Sequence, residues 1–187
     1  MSAFEVFLLG LALSADAFAV TVSNTFVYVG ESRRRLLLMP LFFGAFQALM
    51  PLLGYFLGGV AAQLIERYAG IVTLVILGVI GGNMVREGIE GLRSATPPEE
   101  RADARLTIPT LVFQAIATAI DAFAVGVSLR AMDVNLAFAV TSIGLTTAAC
   151  CVVAIYLGRK LGYLLGDRAE IVGGCVLIAI ALKALLG

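Results

Sequence analysis

The segment Asp16–Ser23, DAFAVTVS, recurs almost unchanged as Asp121–Ser128, DAFAVGVS. The two copies begin 105 positions apart in a chain of 187 residues. Each copy places a carboxylate inside a long apolar stretch. Because a charged group is costly in an apolar environment, its duplication indicates a function that both halves of the chain share.

The composition is that of a membrane protein: 60% of the residues are hydrophobic, 14% are charged, and the mean hydropathy is +1.00. Six apolar segments are each close to the ~20 residues that cross a bilayer as a helix. We read the first as a membrane span and not as a secretory signal, because no Lys or Arg precedes it. The sequence therefore predicts an all-α membrane protein with six transmembrane helices. The predicted spans are residues 4–26, 36–58, 69–90, 108–129, 134–157 and 169–187.

The repeat extends beyond the opening motif, since Gly44 and Gly144 also occupy matching positions, at a shorter offset. Each half carries three predicted spans, and an odd number of spans forces the second half to cross the membrane in the opposite sense. The predicted organisation is a first three-helix repeat over residues 1–90, a cytoplasmic linker over 91–107, and a second, inverted three-helix repeat over 108–187.

The basic residues divide sharply between the two sides of the membrane. Only Arg67 and Arg130 lie on the side that carries the termini. The positive-inside rule makes the richer side cytoplasmic and places both termini outside. The residues on the richer side are Arg33, Arg34, Arg35, Arg86, Arg93, Arg101, Arg105, Arg159, Lys160 and Arg168.

Asp16 and Asp121 lie near the midplane of their spans, where a charge costs about 2.5–3.5 kcal/mol on insertion scales. Buried carboxylates can serve as structural hydrogen-bond partners, but duplication at equal depth favours a binding function. Each aspartate lies on a narrow stripe of small residues that admits close helix packing. The stripe residues are Ala12, Ala19 and Ser23 in the first half, and Ala117, Ala124 and Ser128 in the second.

Gln47 lies at the centre of the second span, and Pro51 follows it by one helical turn. Proline has no N–H, so the Gln47 carbonyl is expected to lack its helical donor. In the second half Thr147 replaces Gln47 and no proline follows. Met50 and Gln47 can also be ordinary packing residues.

The predicted site is rich in oxygen and carries negative charge. The chain has no histidine, and its cysteines, Cys150, Cys151 and Cys175, lie within spans without a metal-binding spacing. Oxygen ligands of this kind suit Mn²⁺, Mg²⁺ or Ca²⁺. The predicted metal ligands are Asp16, Asp121, Gln47, Met50, Asn83 and Thr118. The predicted gating or structural positions are Pro51, Ser23, Ser128, Lys183, Glu87 and Glu170. Lys183 is expected to extend toward the membrane surface. The alternative is that it pairs with an aspartate when the metal site is empty.

The motifs SADAFAVTVS from Ser14, FGAFQALMPLLGYFLG from Phe43, ATAIDAFAVGVS from Ala117 and RAEIVGG from Arg168 resemble those of the MntP-type manganese efflux pumps. The resemblance covers essentially the whole chain. It implies a multi-pass protein of the bacterial inner membrane that exports Mn²⁺ through Asp16 and Asp121. Some members carry an acidic residue at the position of Gln47 and an arginine at that of Asn83.

The site chemistry predicts alternating access in which protons return as Mn²⁺ leaves. An exporter of another divalent cation or of an amino acid is the first alternative. An intramembrane aspartyl hydrolase is the second, but neither aspartate lies in a Gly-x-Gly-Asp motif. We expect no enzymatic activity, no resident cofactor, no nucleic-acid partner and no use of ATP, since the chain lacks a phosphate-binding loop. The expected partners are Mn²⁺, protons and the lipid bilayer.

Overall fold

The computed structural model describes residues 2–28, 30–58, 60–93, 106–130, 132, 134–165 and 168–186. Regular structure in these residues is helical throughout, without a strand, which confirms the all-α prediction. The helices are α1 (Ala3–Val27), α2 (Arg33–Leu36), α3 (Leu38–Leu57), α4 (Val60–Arg93), α5 (Ile108–Arg130), α6 (Leu136–Leu165) and α7 (Ala169–Leu186).

The long helices match the predicted spans, and the chain is a multi-pass membrane protein. In the described residues, 5 helices are long and apolar enough to cross a bilayer, and α7 contains a shorter apolar stretch, Ile171–Ala184. The 5 crossing segments are Ala3–Phe26, Arg33–Leu57, Gly70–Glu90, Ile108–Arg130 and Leu136–Gly162.

Two helices are longer than the apolar segments that predicted them. Helix α4 begins at Val60 and α6 continues to Leu165, so both helices extend beyond the predicted spans, 69–90 and 134–157. The polar residues in these extensions, such as Arg159 and Lys160, are good helix formers. Apolar length therefore predicts where a helix crosses the membrane but does not predict where that helix ends.

Side chains at the helix starts satisfy backbone N–H groups. Ser2 and Glu5 form a capping box at α1: the Glu5 N–H donates to the Ser2 hydroxyl at 3.2 Å and the Ser2 N–H donates to the Glu5 carboxylate at 2.7 Å. Thr107 accepts from the Thr110 N–H at the start of α5. Asn135 accepts from the Phe138 N–H at the start of α6.

The six long helices pack as a closed ring in the order α1, α6, α3, α5, α4 and α7. Helices α1 and α5 also contact each other across the middle of this ring. We call the side on which α1 begins the terminal side, and the side on which α4 ends and α5 begins the linker side. The ring places the two aspartate helices face to face.

Glycines allow the closest helix approaches. Gly44 and Gly144 meet where α3 crosses α6: a Cβ at Gly44 would lie 2.9 Å from the Gly144 carbonyl oxygen, and the reverse distance is 2.8 Å. Gly126 of α5 lies directly against the main chain of Pro51 in α3. Any larger residue at these positions would displace a helix backbone.

Candidate metal site at the α1–α5 crossing

Asp16 of α1 and Asp121 of α5 lie on the two helices that meet across the ring. The Asp16 Oδ1 atom is 3.8 Å from the Lys183 Nζ atom of α7. Asp121 lies within electrostatic range of both Asp16 and Lys183. Two carboxylates and one ammonium therefore share one neighbourhood.

The Asp121 carboxylate is exposed and has free coordination capacity. Its Oδ1 atom accepts one hydrogen bond, from the Ala122 N–H at 2.8 Å. An ionised carboxylate has about four lone-pair positions, so most of them remain available for a ligand. Charged side chains within a membrane face a bundle interior or a water-filled cavity, because exposure to lipid is costly.

The Gln47 side chain is fully buried, and only the nitrogen of its amide group has a hydrogen-bond partner among the described residues. Its Nε2 atom donates to the Leu13 carbonyl at 3.0 Å, which ties α3 to α1 one turn before Asp16. Its Oε1 atom is buried and has no hydrogen-bond partner in the described part of the chain. An unpaired buried acceptor costs about 1–3 kcal/mol, so its persistence suggests a role that packing does not explain.

Two further predicted ligands have other contacts. The Thr118 hydroxyl is buried and donates back to the Gln114 carbonyl of its own helix at 3.0 Å. Met50 packs against an apolar cluster that includes Leu13 and Ile143. Thr147, the counterpart of Gln47, donates to the Ile143 carbonyl at 3.0 Å. Among the described residues, the hydrogen bonds of the two threonines go to carbonyls of their own helices, and the roles of Thr118 and Met50 as ligands stay predictions.

Asn83 and Glu87 are exposed on the linker-side half of α4. Glu87 and Glu31 lie close to Tyr28 at the end of α1, where burial raises the pKa of the Tyr28 hydroxyl and the two negative charges raise it further. Glu170 begins α7, but its side chain lies outside the described part of the structure.

Glu31 links the end of α1 to the start of α5. Desolvation acts to raise the pKa of Glu31, but hydrogen bonds from the Arg35 guanidinium and the Leu106 N–H outweigh it and lower that pKa. The two distances are 3.0 Å and 3.1 Å.

The two serines of the repeated motif lie in opposite environments. Ser23 is completely buried and its hydroxyl has no hydrogen-bond partner among the described residues. Ser128 is exposed, and its hydroxyl donates to the Ala124 carbonyl at 3.2 Å. Pro51 lies inside a continuous α3. The same serine of the repeat is therefore buried in the first half and exposed in the second.

Sequence reasoning missed a buried amide pair on the linker side. Asn24 of α1 and Gln114 of α5 exchange two hydrogen bonds, at 2.7 and 3.0 Å, and both side chains are buried. Gln114 lies two turns before Asp121 on the same helical face, and that spacing could have identified it. Thr73 of α4, also missed, donates to the Ala117 carbonyl at 3.2 Å.

The described residues contain no group of three His, Cys, Asp or Glu side chains that could enclose a metal. Asp16 and Asp121 supply two anionic oxygens, so any further ligands must be neutral oxygens such as amides, carbonyls or water. Mn²⁺ and Mg²⁺ accept such mixed oxygen shells. Such a site can bind an ion and release it.

Comparison with known proteins identifies the family of the chain. A family profile described as "Putative manganese efflux pump" (Mntp) matches residues 30–185. The chain belongs to this family. A "Putative manganese efflux pump MntP" of Ruminiclostridium cellulolyticum is 40% identical over 98% of this chain and 95% of its own. Proteins with the same name from Methanosphaera stadtmanae and Xanthomonas euvesicatoria are each 36% identical, over 98% and 96% of this chain and 98% and 93% of their own.

Membership in the Mntp family confirms the resemblance inferred from the repeated motif. The profile match begins after the first aspartate motif and includes the second, so Asp121 lies inside it and Asp16 before it. The full-length relatives cover both. No solved structure matches the chain.

Proposed function

We propose that this protein exports Mn²⁺ from the cytoplasm in exchange for protons, by alternating access around Asp16 and Asp121. The observation that carries the proposal is the placement of these duplicated carboxylates on contacting helices within the membrane-spanning region. The names of the relatives supply the ion and the direction of transport.

The donor chemistry supports a transported divalent cation. Two carboxylates provide most of the charge that such an ion needs, and the unpaired Gln47 Oε1 atom provides a neutral oxygen on the neighbouring helix. Binding an ion would also satisfy that buried acceptor. The small number of anionic ligands favours release, which a transporter requires.

Matching helix contacts support an inverted repeat. Helix α1 packs on α6 as α5 packs on α3, and α1 packs on α7 as α5 packs on α4. Single contacts pair in the same way: Gly58 lies near Arg130, and Gly158 lies near Thr25, at the corresponding positions of the other half. This is the pairing expected when two inverted halves meet at a twofold axis in the membrane plane.

The distribution of basic residues orients the protein. The linker side carries the excess of Lys and Arg, so we assign it to the cytoplasm and the terminal side to the periplasm. In cells, cysteine reagents added outside should label single cysteines introduced at either terminus and leave a cysteine introduced in the 91–107 linker unmodified. Labelling of the linker alone would reverse this orientation.

Unequal burial of equivalent positions supports alternating access. On the terminal side Ala12 and Ser128 are exposed, whereas on the linker side Ala117 is 4% exposed and Ser23 is 0% exposed. The repeat gives these positions the same residues, so the difference reflects conformation. This arrangement is what an outward-open, inward-closed state requires.

Helix α7 closes the linker side over Ser23. A Cβ at Gly173 would lie 3.3 Å from the Ser23 carbonyl oxygen. In the first half, the residue that corresponds to Gly173 is Thr73 of α4. The Thr73 hydroxyl donates to the Ala117 carbonyl, and Ser128 is exposed. In the inward-open state we expect the reverse: α4 covers Ser128, and α7 leaves Ser23.

Proton exchange follows from the charges of the site. When the metal leaves, two carboxylates remain on contacting helices within the membrane-spanning region, with the Lys183 ammonium 3.8 Å from Asp16. Two such carboxylates resist ionising together, so a proton is the simplest ion to replace the departing metal. Its return to the cytoplasm would reset the transporter.

Transport by the purified protein in inside-out vesicles tests the proposal. Asp16→Asn and Asp121→Asn preserve the shape of each side chain but remove its charge, so each should abolish Mn²⁺ uptake. Because both carboxylates hold one ion, the double variant should be scarcely worse than either single variant. Mg²⁺, Ca²⁺, Fe²⁺ and Zn²⁺ serve as competitors, and a pH gradient should drive uptake.

Glu90→Gln is the matched control, because it also replaces a carboxylate with an amide. Glu90 lies on the exposed surface of α4, 3.8 Å from Arg86, and its side chain is 68% exposed. This variant should transport normally. Unaltered Mn²⁺ uptake by either aspartate variant would refute the shared site, and uptake that ignores the pH gradient would refute proton exchange.

A further inference from the structure

A groove lies on the linker side between α2 and the final turns of α6, outside the aspartate site. Its volume is about 530 Å³. Exposed apolar side chains, Leu37, Val152 and Tyr156, form one part of its lining. The groove therefore combines an apolar wall with the basic residues of its rim.

The rim of the groove carries the positive charges Arg33, Arg159 and Lys160. In the described part of the chain, the ion pairs involve other residues, so none of these three cations has a carboxylate within 4 Å. Three neighbouring cations repel one another, and an anion between them would relieve that repulsion.

The depth of the groove identifies the kind of anion. Val152 and Arg159 are seven residues apart on one helix, which corresponds to about 10 Å along its axis. Arg33 begins the crossing segment Arg33–Leu57, and Arg159 and Lys160 lie near the end of the segment Leu136–Gly162. In a bilayer, these positions place the cations at the level of the lipid headgroups and Val152 at the level of the acyl chains. An occupant needs an anionic head and an apolar tail.

We propose that this groove binds an anionic glycerophospholipid of the cytoplasmic leaflet. Its phosphate lies among Arg33, Arg159 and Lys160, and an acyl chain lies against Leu37, Val152 and Tyr156. Basic pockets between transmembrane helices on the cytoplasmic side suit such headgroups. The lipid would join α2 to α6 and so stabilise the packing of α3 on α6.

A second groove in the same chain provides an internal comparison. It has a volume of about 420 Å³, lies between α1 and α6, and is lined by residues that include Phe7, Leu11, Leu145 and Val153. Among the described residues, those that line it carry no charge. It can accept acyl chains of any phospholipid, so only the basic groove should select for headgroup charge.

Native mass spectrometry of the delipidated full-length protein tests the proposal, with phosphatidylglycerol and phosphatidylcholine titrated in parallel. Phosphatidylglycerol should bind more tightly and should raise the thermal unfolding midpoint. The triple variant Arg33→Gln/Arg159→Gln/Lys160→Gln should lose this preference, by roughly fivefold in affinity for each cation removed. Arg159→Lys should retain it, which separates charge from folding.

The double variant Arg86→Gln/Arg130→Gln is the control, because it removes exposed cations outside the groove. It should keep the preference for phosphatidylglycerol. Equal binding of the two lipids, retained preference in the triple variant, or lost preference in the control would overturn the proposal. So would full displacement of the lipid by glycerol phosphate, because a soluble anion would then be the ligand.

Discussion

Replacement of Gly173 by alanine should shift the protein toward its inward-open state. A Cβ at this position would lie 2.8 Å from Met84 Cε, 2.9 Å from Phe26 Cδ2 and 3.3 Å from the Ser23 carbonyl oxygen. The end of Met84 can move aside, but the aromatic ring and the main-chain oxygen have less freedom. Phe26 and Ser23 belong to α1, so the crowding against these two residues exists only while α7 covers α1 on the linker side.

The size of the shift follows from the cost of crowding. Overpacking a tight contact costs about 1–3 kcal/mol, and the flexibility of Met84 favours the lower part of that range. A penalty of about 1–2 kcal/mol on the inward-closed state alone would raise the inward-open population roughly fivefold to thirtyfold. The gain in helix propensity from Gly to Ala applies to both states and cancels.

Thiol labelling at Ser23→Cys, with the three native cysteines replaced, measures the shift. Reagent added to the cytoplasmic face should modify this cysteine faster when Gly173→Ala is also present. Gly82→Ala is the matched control, because a Cβ there meets nothing within 4 Å. If both glycine variants label at the same rate while remaining folded, α7 is not the inner gate.

Three further predictions address other contacts. Lys183→Met should tighten Mn²⁺ binding by roughly fivefold, because the substitution removes an ammonium that competes with the metal for Asp16. Electron paramagnetic resonance measures this affinity, and weaker binding by the variant would contradict the prediction. Gln114→Leu should lower the free energy of unfolding by about 1–3 kcal/mol, because it leaves the buried Asn24 side chain unpaired. Adding Asn24→Leu should recover most of that loss in denaturant titrations. If the effects of the two substitutions were simply additive, the pairing would be excluded. Pro51→Ala supplies an N–H for the carbonyl one turn earlier, so Mn²⁺ transport should weaken in folded protein, and an unchanged rate would remove that carbonyl from the site.

The membrane-spanning helices could be predicted from sequence, and the contact of the two aspartate helices, α1 and α5, agrees with the predicted repeat. Hydropathy over about 20 residues determines where a helix crosses the bilayer, and the repeat of Asp16 as Asp121 indicates equivalent depth. The start of α4 at Val60 could not be predicted in the same way, because hydropathy does not detect a helix that continues beyond its apolar segment.

Several features of the site depend on tertiary packing and so were not predictable from residue type. Ser23 and Ser128 occupy nearly identical motifs, yet one is buried and the other exposed, because the helices packed around them differ. For Lys183 the sequence left two alternatives, extension toward the membrane surface or pairing with an aspartate, and the proximity of α7 to α1 places its ammonium 3.8 Å from Asp16. The Asn24–Gln114 pair requires knowing that α1 and α5 meet on the linker side.

The contact of Gly44 with Gly144 has a consequence for how these sequences can vary. Each glycine abuts the carbonyl oxygen of the other, so the obstacle to a larger residue at one position is main chain. No substitution at the second position can remove that obstacle, and compensating changes are therefore not available. We therefore expect the positions of Gly44 and Gly144 to remain glycine across relatives. Coevolution analysis requires paired variation, so it would not detect this contact, although the contact fixes the crossing of α3 and α6.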